Sequence, residues 1–110
     1  MASKFEKFPA SNGNYYFNLK AGNGEPVLAS QGYGSKSSCE TGISSVKENS
    51  PLDSRYEKKA STNGKYYFVL KASNGQVIGT SEMYNSSSGR DHGIEVVKRE
   101  APKASIVDLT

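Results

Sequence analysis

Few residues of this chain have the type and spacing that catalysis or metal binding needs. His92 is the only histidine and Cys39 the only cysteine among 110 residues. A lone histidine cannot build a multi-histidine metal site, and a lone cysteine forms neither an internal disulfide nor a thiolate metal site. The sequence therefore predicts no catalytic residues, no metal and no cofactor.

Each of the two residues leaves a minor chemical alternative. Cys39 lies near the start of a predicted helix, which could lower its pKa, but no histidine is near it in the sequence. A partly buried, inert thiol is the favoured interpretation. His92 follows Asp91 on a second predicted helix, and Thr41 takes its place in the first half of the chain. Because the shared fold does not need an imidazole there, a surface position is favoured over a general base.

Two serine-rich segments precede the predicted helices and could attract an anion. The residues concerned are Ser35, Lys36, Ser86 and Arg90. Free N–H groups at a helix start favour negative charge, yet the segments lack the Gly-Lys-Ser/Thr order of a phosphate-binding loop. Capping of the helix by Ser35 and Ser86 explains the serines equally well, so the anion site stays an alternative.

Aromatic and basic side chains also alternate along two predicted strands. On one face of these strands the sequence places Tyr16, Asn18, Lys20, Tyr67, Val69 and Lys71. If both helices cover the other face, these side chains remain open to a partner. Tyrosines and lysines on an open sheet are how several single-strand nucleic-acid readers stack bases and hold phosphates. A solvated face of good strand formers is the simpler alternative.

The elements that position these residues come from an internal duplication. Shifting the chain by 51 residues aligns residues 5–51 with residues 56–102 without a gap, and 21 of the 47 aligned pairs are identical. The most similar segments read NGNYYFNLKAGNG and NGKYYFVLKASNG. Asn-Gly turns on both sides of an alternating apolar run are a strong signal for a strand between two hairpins. Two copies predict a pair related by an approximate two-fold axis.

Each copy reads as three strands followed by a helix. Tyr15, Phe17 and Leu19 share the apolar face of the middle strand. In the helix, Cys39, Gly42, Ile43 and Val46 recur at helical spacing. A glycine at the same place in both helices, Gly42 and Gly93, predicts close approach of a neighbouring backbone.

One three-stranded unit is marginal alone, so the units must share a sheet. The predicted fold is α+β: two tandem β-β-β-α repeats with one antiparallel six-stranded sheet and two helices packed on one face. Residues 1–110 form a single domain, with repeats at about 5–51 and 56–102. Residues 103–110 are predicted to be a flexible tail, and Pro26 suits a strand start or an edge.

The tandem pattern NGxYYFxLKAxNG, with the later GI-x-x-VK, resembles the YegP-like family of small uncharacterised bacterial proteins. The resemblance covers the chain from Phe5 to about Pro102. It implies a tandem β-β-β-α arrangement with one antiparallel sheet, and single-repeat relatives that pair to make its equivalent. It implies no established activity and no catalytic residues.

Composition limits the function without naming it. The net charge is +3, the lysines and arginines are scattered, and no apolar run approaches the length of a membrane span. With no secretory pattern after Met1, a cytoplasmic monomer without a membrane partner is predicted. The function is unknown; a non-enzymatic binding module for nucleic acid or protein at the open sheet face is favoured. The alternative is an enzyme or anion-binding protein that uses the two helix starts.

Overall fold

The computed structural model describes residues 3–110 of the chain. Each repeat contributes three strands and a helix, and a further strand follows the second helix. The first repeat holds β1 (Lys4–Pro9), β2 (Tyr15–Lys20), β3 (Pro26–Ala29) and α1 (Lys36–Asn49). The second holds β4 (Tyr56–Ala60), β5 (Tyr66–Lys71), β6 (Val77–Thr80) and α2 (Ser87–Glu100), followed by β7 (Ser105–Asp108). Short 3-10 turns, Asp53–Arg55 and Ala101–Lys103, follow the two helices.

All seven strands belong to one sheet, in the order β4-β5-β6-β3-β2-β1-β7. The two repeats meet at β3 and β6, which pair antiparallel through Ala29 and Thr80. The α+β class and the tandem repeat are confirmed, but the predicted six-stranded antiparallel sheet is wrong. A seventh strand is present, and β7 runs parallel to β1, so the sheet is mixed. Pro26 begins the central strand β3 and protects no edge.

The predicted flexible tail is the source of that seventh strand. Residues 105–108 pair with β1 from Lys4 to Lys7, and the amide of Leu109 donates to the carbonyl of Lys7 at 2.8 Å. The β-branched pair Ile106-Val107 favours an extended backbone. An isolated apolar pair in a charged tail gives no sign of its distant partner strand, so local sequence predicts fraying there.

Both helices pack on the same face of the sheet and share one core. Phe17 and Leu19 of β2 and Phe68 and Leu70 of β5 are fully buried in it, together with Ile43 and Val97. The helices contact strands of both repeats: α1 lies against β2, β5 and β6, and α2 lies against β3 and β5. Since only a narrow stripe of each helix is apolar, packing on the sheet rather than intrinsic propensity stabilises it.

The two helix glycines do mark a close approach, but the neighbour is a tyrosine ring rather than a backbone. A Cβ on Gly42 would overlap the Tyr33 hydroxyl and lie 2.7 Å from its Cζ; Gly93 and Tyr84 repeat this geometry. Each ring also stacks on a core phenylalanine, with Tyr33 and Phe17 centroids 6.1 Å apart. The tyrosine therefore wedges between sheet and helix, and only glycine leaves it room.

The repeat junction is where the two copies must differ. Leu28 is buried in β3, and its counterpart in β6 is Gly79. A Cβ on Gly79 would lie 2.6 Å from a methyl group of Leu28. Equivalent positions face each other across the approximate two-fold axis, so a second leucine would occupy the space that the first already fills.

Candidate functional site

The sheet face opposite the helices carries the residues that the sequence predicted for it, but Val69 is buried there rather than open to a partner. The strand registers align one row across the sheet: Glu6, Asn18, Ala29, Thr80, Val69 and Glu57. In β2, Tyr16 lies two residues before Asn18 and Lys20 two residues after it. In β5, Tyr67 and Lys71 lie two residues before and after Val69. Because β2 and β5 run in opposite directions, Tyr16 and Lys71 lie toward one end of the sheet. Tyr67 and Lys20 lie toward the other end.

The two tyrosines have different surroundings. Tyr16 stacks on Phe8, with ring centroids 6.0 Å apart, and its hydroxyl accepts a hydrogen bond from the Asn12 amide at 3.2 Å. The residue opposite Tyr67 is Lys59, which supplies no ring. Both tyrosines are half-buried, so each presents part of a ring to solvent.

The lysines on this face are arranged around glutamates in the same way in both repeats. Glu6 lies between Lys20 at 2.8 Å and Lys4 at 3.2 Å. Glu57 pairs in the same way with Lys71 and, at 3.6 Å, with Lys59. Hydrogen bonds from Lys20 and then Lys4 lower the pKa of Glu6, and Lys71 with Lys59 does the same for Glu57. Each trio thus keeps one positive charge in excess.

The helix starts hold capping residues, as the serine pattern predicted. The Ser35 hydroxyl accepts from the Ser38 amide at 3.1 Å, and Ser86 accepts from the Gly89 amide at 3.0 Å. Lys36 is exposed. The Arg90 guanidinium lies 5.4 Å from the Tyr66 ring centre and donates to the Lys59 carbonyl, so it packs against the sheet. Ser35 and Lys36 thus lie at the α1 start and Ser86 and Arg90 at the α2 start, where the Arg90 guanidinium is already engaged with the sheet.

Cys39 and His92 show no catalytic arrangement. Cys39 is fully buried, and burial raises the pKa of its thiol, opposite to the shift that a reactive thiolate needs. His92 is exposed on α2. Within residues 3–110 there is no group of three or more His, Cys, Asp or Glu side chains placed to hold a metal ion. Over the same residues, neither helix has the length and apolar character that crossing a membrane requires.

Sequence reasoning missed a cleft beside β4, where α2 passes the edge of the sheet. The cleft measures about 880 Å³ and is lined by Asp53, Tyr56, Glu57, Lys58, Asp91, His92, Ile94 and Glu95. In the first repeat the equivalent place outside β1 is occupied by β7. The sequence did hold a signal for this place. Lys7 and Lys58 are identical at equivalent positions, and the helix of each repeat carries an acidic residue at an equivalent position, Glu40 or Asp91.

Comparison with known proteins identifies the family. Residues 10–57 and 61–108 each match the family described as "Domain of unknown function (DUF1508)". The chain belongs to this family. Each DUF1508 match starts ahead of the middle strand of a repeat and extends beyond the helix. The second match includes β7 and the first ends inside β4.

Similar proteins are described as UPF0339 proteins. The UPF0339 protein YegP of Escherichia coli K12 is 49% identical over 110 residues, with 100% of both chains covered. A UPF0339 protein in the ptx operon 5′ region of Stutzerimonas stutzeri is 50% identical over 109 residues, covering 99% of this chain and 98% of that protein. The predicted YegP-like relationship is confirmed, and these relatives are uncharacterised.

Two solved structures match over the full length of this chain. The solution NMR structure of the E. coli protein of unknown function yegP has a TM-score of 0.94 at 49% identity, with 95% of that chain covered. The solution NMR structure of a UPF0339 protein from Shewanella oneidensis has a TM-score of 0.94 at 47% identity, with 93% covered. The DUF1508 relatives thus support the fold and assign no activity.

Proposed function

We propose that this protein is a non-enzymatic binding module that recognises single-stranded nucleic acid with the uncovered face of its sheet. The observation that carries the proposal is the diagonal placement of a tyrosine and a lysine at each end of that face. Tyr16 and Tyr67 are separated by three strand spacings across the sheet and by four residues along the strand direction. These separations together place the two residues roughly 20 Å apart. A single strand of several nucleotides spans that distance, so one base could stack at each end.

Charge on this face supports the same partner. Four lysines surround two glutamates, which leaves a net positive surface under the bases. Phosphates would compete with Glu6 and Glu57 for Lys20 and Lys71. Binding of this kind weakens as salt rises, because phosphate contacts release counterions from the strand.

The test is fluorescence anisotropy with a labelled single-stranded oligonucleotide of mixed sequence, at several salt concentrations. Tyr67→Ala is expected to weaken binding by roughly tenfold, since base–aromatic stacking is worth about 1–3 kcal/mol per base. Lys71→Gln should reduce the salt slope by about 0.7. Lys36→Gln, at the α1 start, is the matched control and should change nothing.

Other outcomes decide between alternatives. If Lys36→Gln weakens binding while Tyr67→Ala does not, the helix-start alternative replaces the sheet face. If no oligonucleotide binds, nucleic acid is excluded as the partner. A protein captured by the wild type and lost with Tyr16→Ala/Tyr67→Ala would then keep the sheet face as the binding surface and change the partner class.

The proposal includes a cytoplasmic monomer. A buried free thiol suits a reducing compartment, and β7 covers the outer edge of β1, one of the two places where another chain could pair. Light scattering should give a constant mass of 11.9 kDa across concentrations. A constant doubled mass would show that a second interface exists.

A further inference from the structure

The outer edge of β4 is the counterpart of a place that the chain fills with its own C-terminal strand. β1 and β4 occupy equivalent positions in the two repeats, and β7 lies outside β1. Outside β4, the described residues supply no strand. The chain leaving α2 is free to pair with β1, whereas the chain leaving α1 must itself become β4. The sheet therefore keeps one open edge.

The backbone of that edge is oriented for pairing. Phe68 exchanges hydrogen bonds with Ser81 on the side of β6: its carbonyl accepts from the Ser81 amide, and its amide donates to the Ser81 hydroxyl, both at 2.9 Å. Lys58 lies opposite Phe68, so this pair is not hydrogen-bonded and the Lys58 N–H and C=O point outward. The equivalent Lys7 carbonyl already accepts from the Leu109 amide.

Side chains in the first repeat show how an added strand is held. The Lys7 ammonium binds Glu40 of α1 and Asp108 of β7, the latter at 3.2 Å, and its side chain is only 2% exposed. Lys47 of α1 donates to the carbonyl of Ala104, just before β7, at 2.7 Å. One lysine from the strand and one from the helix therefore hold the same segment.

The second repeat keeps both lysines without that segment. Lys58 binds one carboxylate, Asp91 at 3.2 Å, and its side chain is 53% exposed. Lys98, the counterpart of Lys47, turns to Asp53 and Glu95 at the rim of the cleft. The remaining carboxylate in the cleft lining, Glu57, pairs with lysines of the opposite sheet face. Among residues 3–110, no carboxylate takes beside Lys58 the position that Asp108 takes beside Lys7.

We propose that the β4 edge is a docking site for an extended segment of a partner protein, which adds to the sheet as a parallel strand. The β-branched residues of the partner segment lie along β4, and a carboxylate of that segment lies opposite Lys58. This is strand addition at an exposed sheet edge, in which main-chain hydrogen bonds give affinity and side chains select the ligand. The site is separate from the uncovered face in the proposed function, so the two proposals can be tested independently.

The test uses the full-length protein and a synthetic peptide with the sequence of residues 101–110, followed by amide NMR. The expected result is a saturable set of shifts in residues 56–60 and 91–95. Shifts confined to β1 would mean that the peptide only displaces β7, and that result would overturn the proposal, as would no shifts at millimolar peptide.

Variants separate the two kinds of contact. Lys58→Gln is expected to weaken peptide binding roughly tenfold, the loss of one charge-assisted hydrogen bond. A peptide with the Asp108→Asn change should bind the wild-type protein more weakly by the same factor. It should bind the Lys58→Gln protein no more weakly than the unchanged peptide does. Lys59→Gln is the matched control, because Lys59 is a lysine of the same strand whose side chain lies on the opposite face of the sheet. This variant is expected to bind the peptide with unchanged affinity.

Lys58→Pro tests the backbone. It removes an outward N–H that the β4–β5 pairing does not use, so the fold should tolerate it while peptide binding is lost. Wild-type affinity in this variant would refute strand addition. Concentration-dependent shifts at residues 56–60 without peptide, together with a doubled mass, would make a second copy the occupant and overturn a separate partner.

Discussion

Lys7 and Lys58 occupy the same position in two copies of one sequence and have opposite environments. Lys7 is buried between Glu40 and Asp108, and its bond with Glu40 raises the pKa of the ammonium. Lys58 is half-exposed with Asp91 alone. The local sequences are alike, so the difference comes from β7, which covers one copy and leaves the other open. The two repeats provide equivalent positions for these lysines, and the C-terminal strand gives the two positions different environments.

The largest effect should come from separating the copies. Residues 1–51 expressed alone lose the β3–β6 pairing and the packing of α1 on β5 and β6. We expect the fragment to be unfolded or dimeric, because one unit cannot bury both sides of its apolar residues. Sedimentation and the dispersion of amide shifts measure this. A stable monomeric fragment would show that the two repeats are independent units.

The repeat junction should be the next most sensitive place. Leu28→Ala is expected to lower the free energy of unfolding by about 2–5 kcal/mol, since it removes a fully buried side chain. Gly79→Leu should cost roughly 1–3 kcal/mol through overpacking. Denaturant unfolding measures both changes.

Exchanging the two residues tests whether Leu28 and Gly79 share one space. In the double variant Leu28→Gly/Gly79→Leu, the large side chain moves to the other repeat and the two-fold site again holds one leucine. Its loss of stability should be clearly smaller than the sum of the Leu28→Gly and Gly79→Leu losses. Additive losses would mean that the two positions do not share space.

Gly42→Ala and Gly93→Ala test whether the tyrosine wedge is equal in both copies. At an exposed helix position alanine would stabilise by up to about 1 kcal/mol. Against Tyr33 and Tyr84 the added methyl should instead cost roughly 1–3 kcal/mol in each copy. Ser44→Ala, on the exposed face of α1, is the control and should change stability little. A raised melting temperature for both glycine variants would show that the tyrosine rings do not restrict the space at these glycines.

The smallest expected effect is the pH dependence of β7. Hydrogen bonds from the Thr110 hydroxyl and amide lower the pKa of Asp108 below its ordinary value. Its contribution to stability is therefore present above the unfolded pKa of about 4 and is lost as the pH falls below it. The stability advantage of wild type over Asp108→Asn should shrink between about pH 5 and pH 2.

The second repeat provides the matched case for that experiment. Hydrogen bonding to Lys58 lowers the pKa of Asp91, so Asp91→Asn should show a dependence of the same sign. Amide exchange should locate the two effects in different strands, β7 for Asp108 and β4 with α2 for Asp91. Loss of β7 protection in Asp91→Asn would contradict the independence of the two edges.

Local sequence determined much of this protein. The Asn-Gly turns with their flanking alternation give β2 and β5 and predict which face is apolar, because strand periodicity and positive-φ turns are short-range properties. Gly13 and Gly64 do take positive φ, and Ser35 and Ser86 cap the helices. Tyr16, Asn18, Lys20, Tyr67 and Lys71 share one face, as predicted, whereas Val69 of the same face is buried. Whether a ligand binds them remains a prediction.

Tertiary structure decided the features that tell the two copies apart. Three of these features join residues distant in the chain: the pairing of β7 with β1, the burial of Lys7 and the complementarity of Leu28 and Gly79. The contact between Gly42 and Tyr33 is closer in sequence but depends on how α1 packs on the sheet. Periodicity and propensity describe neighbours along the backbone and hold no information on which distant surface they meet. The partner of Ile106-Val107, and hence the open edge at β4, follows only once the sheet order is known.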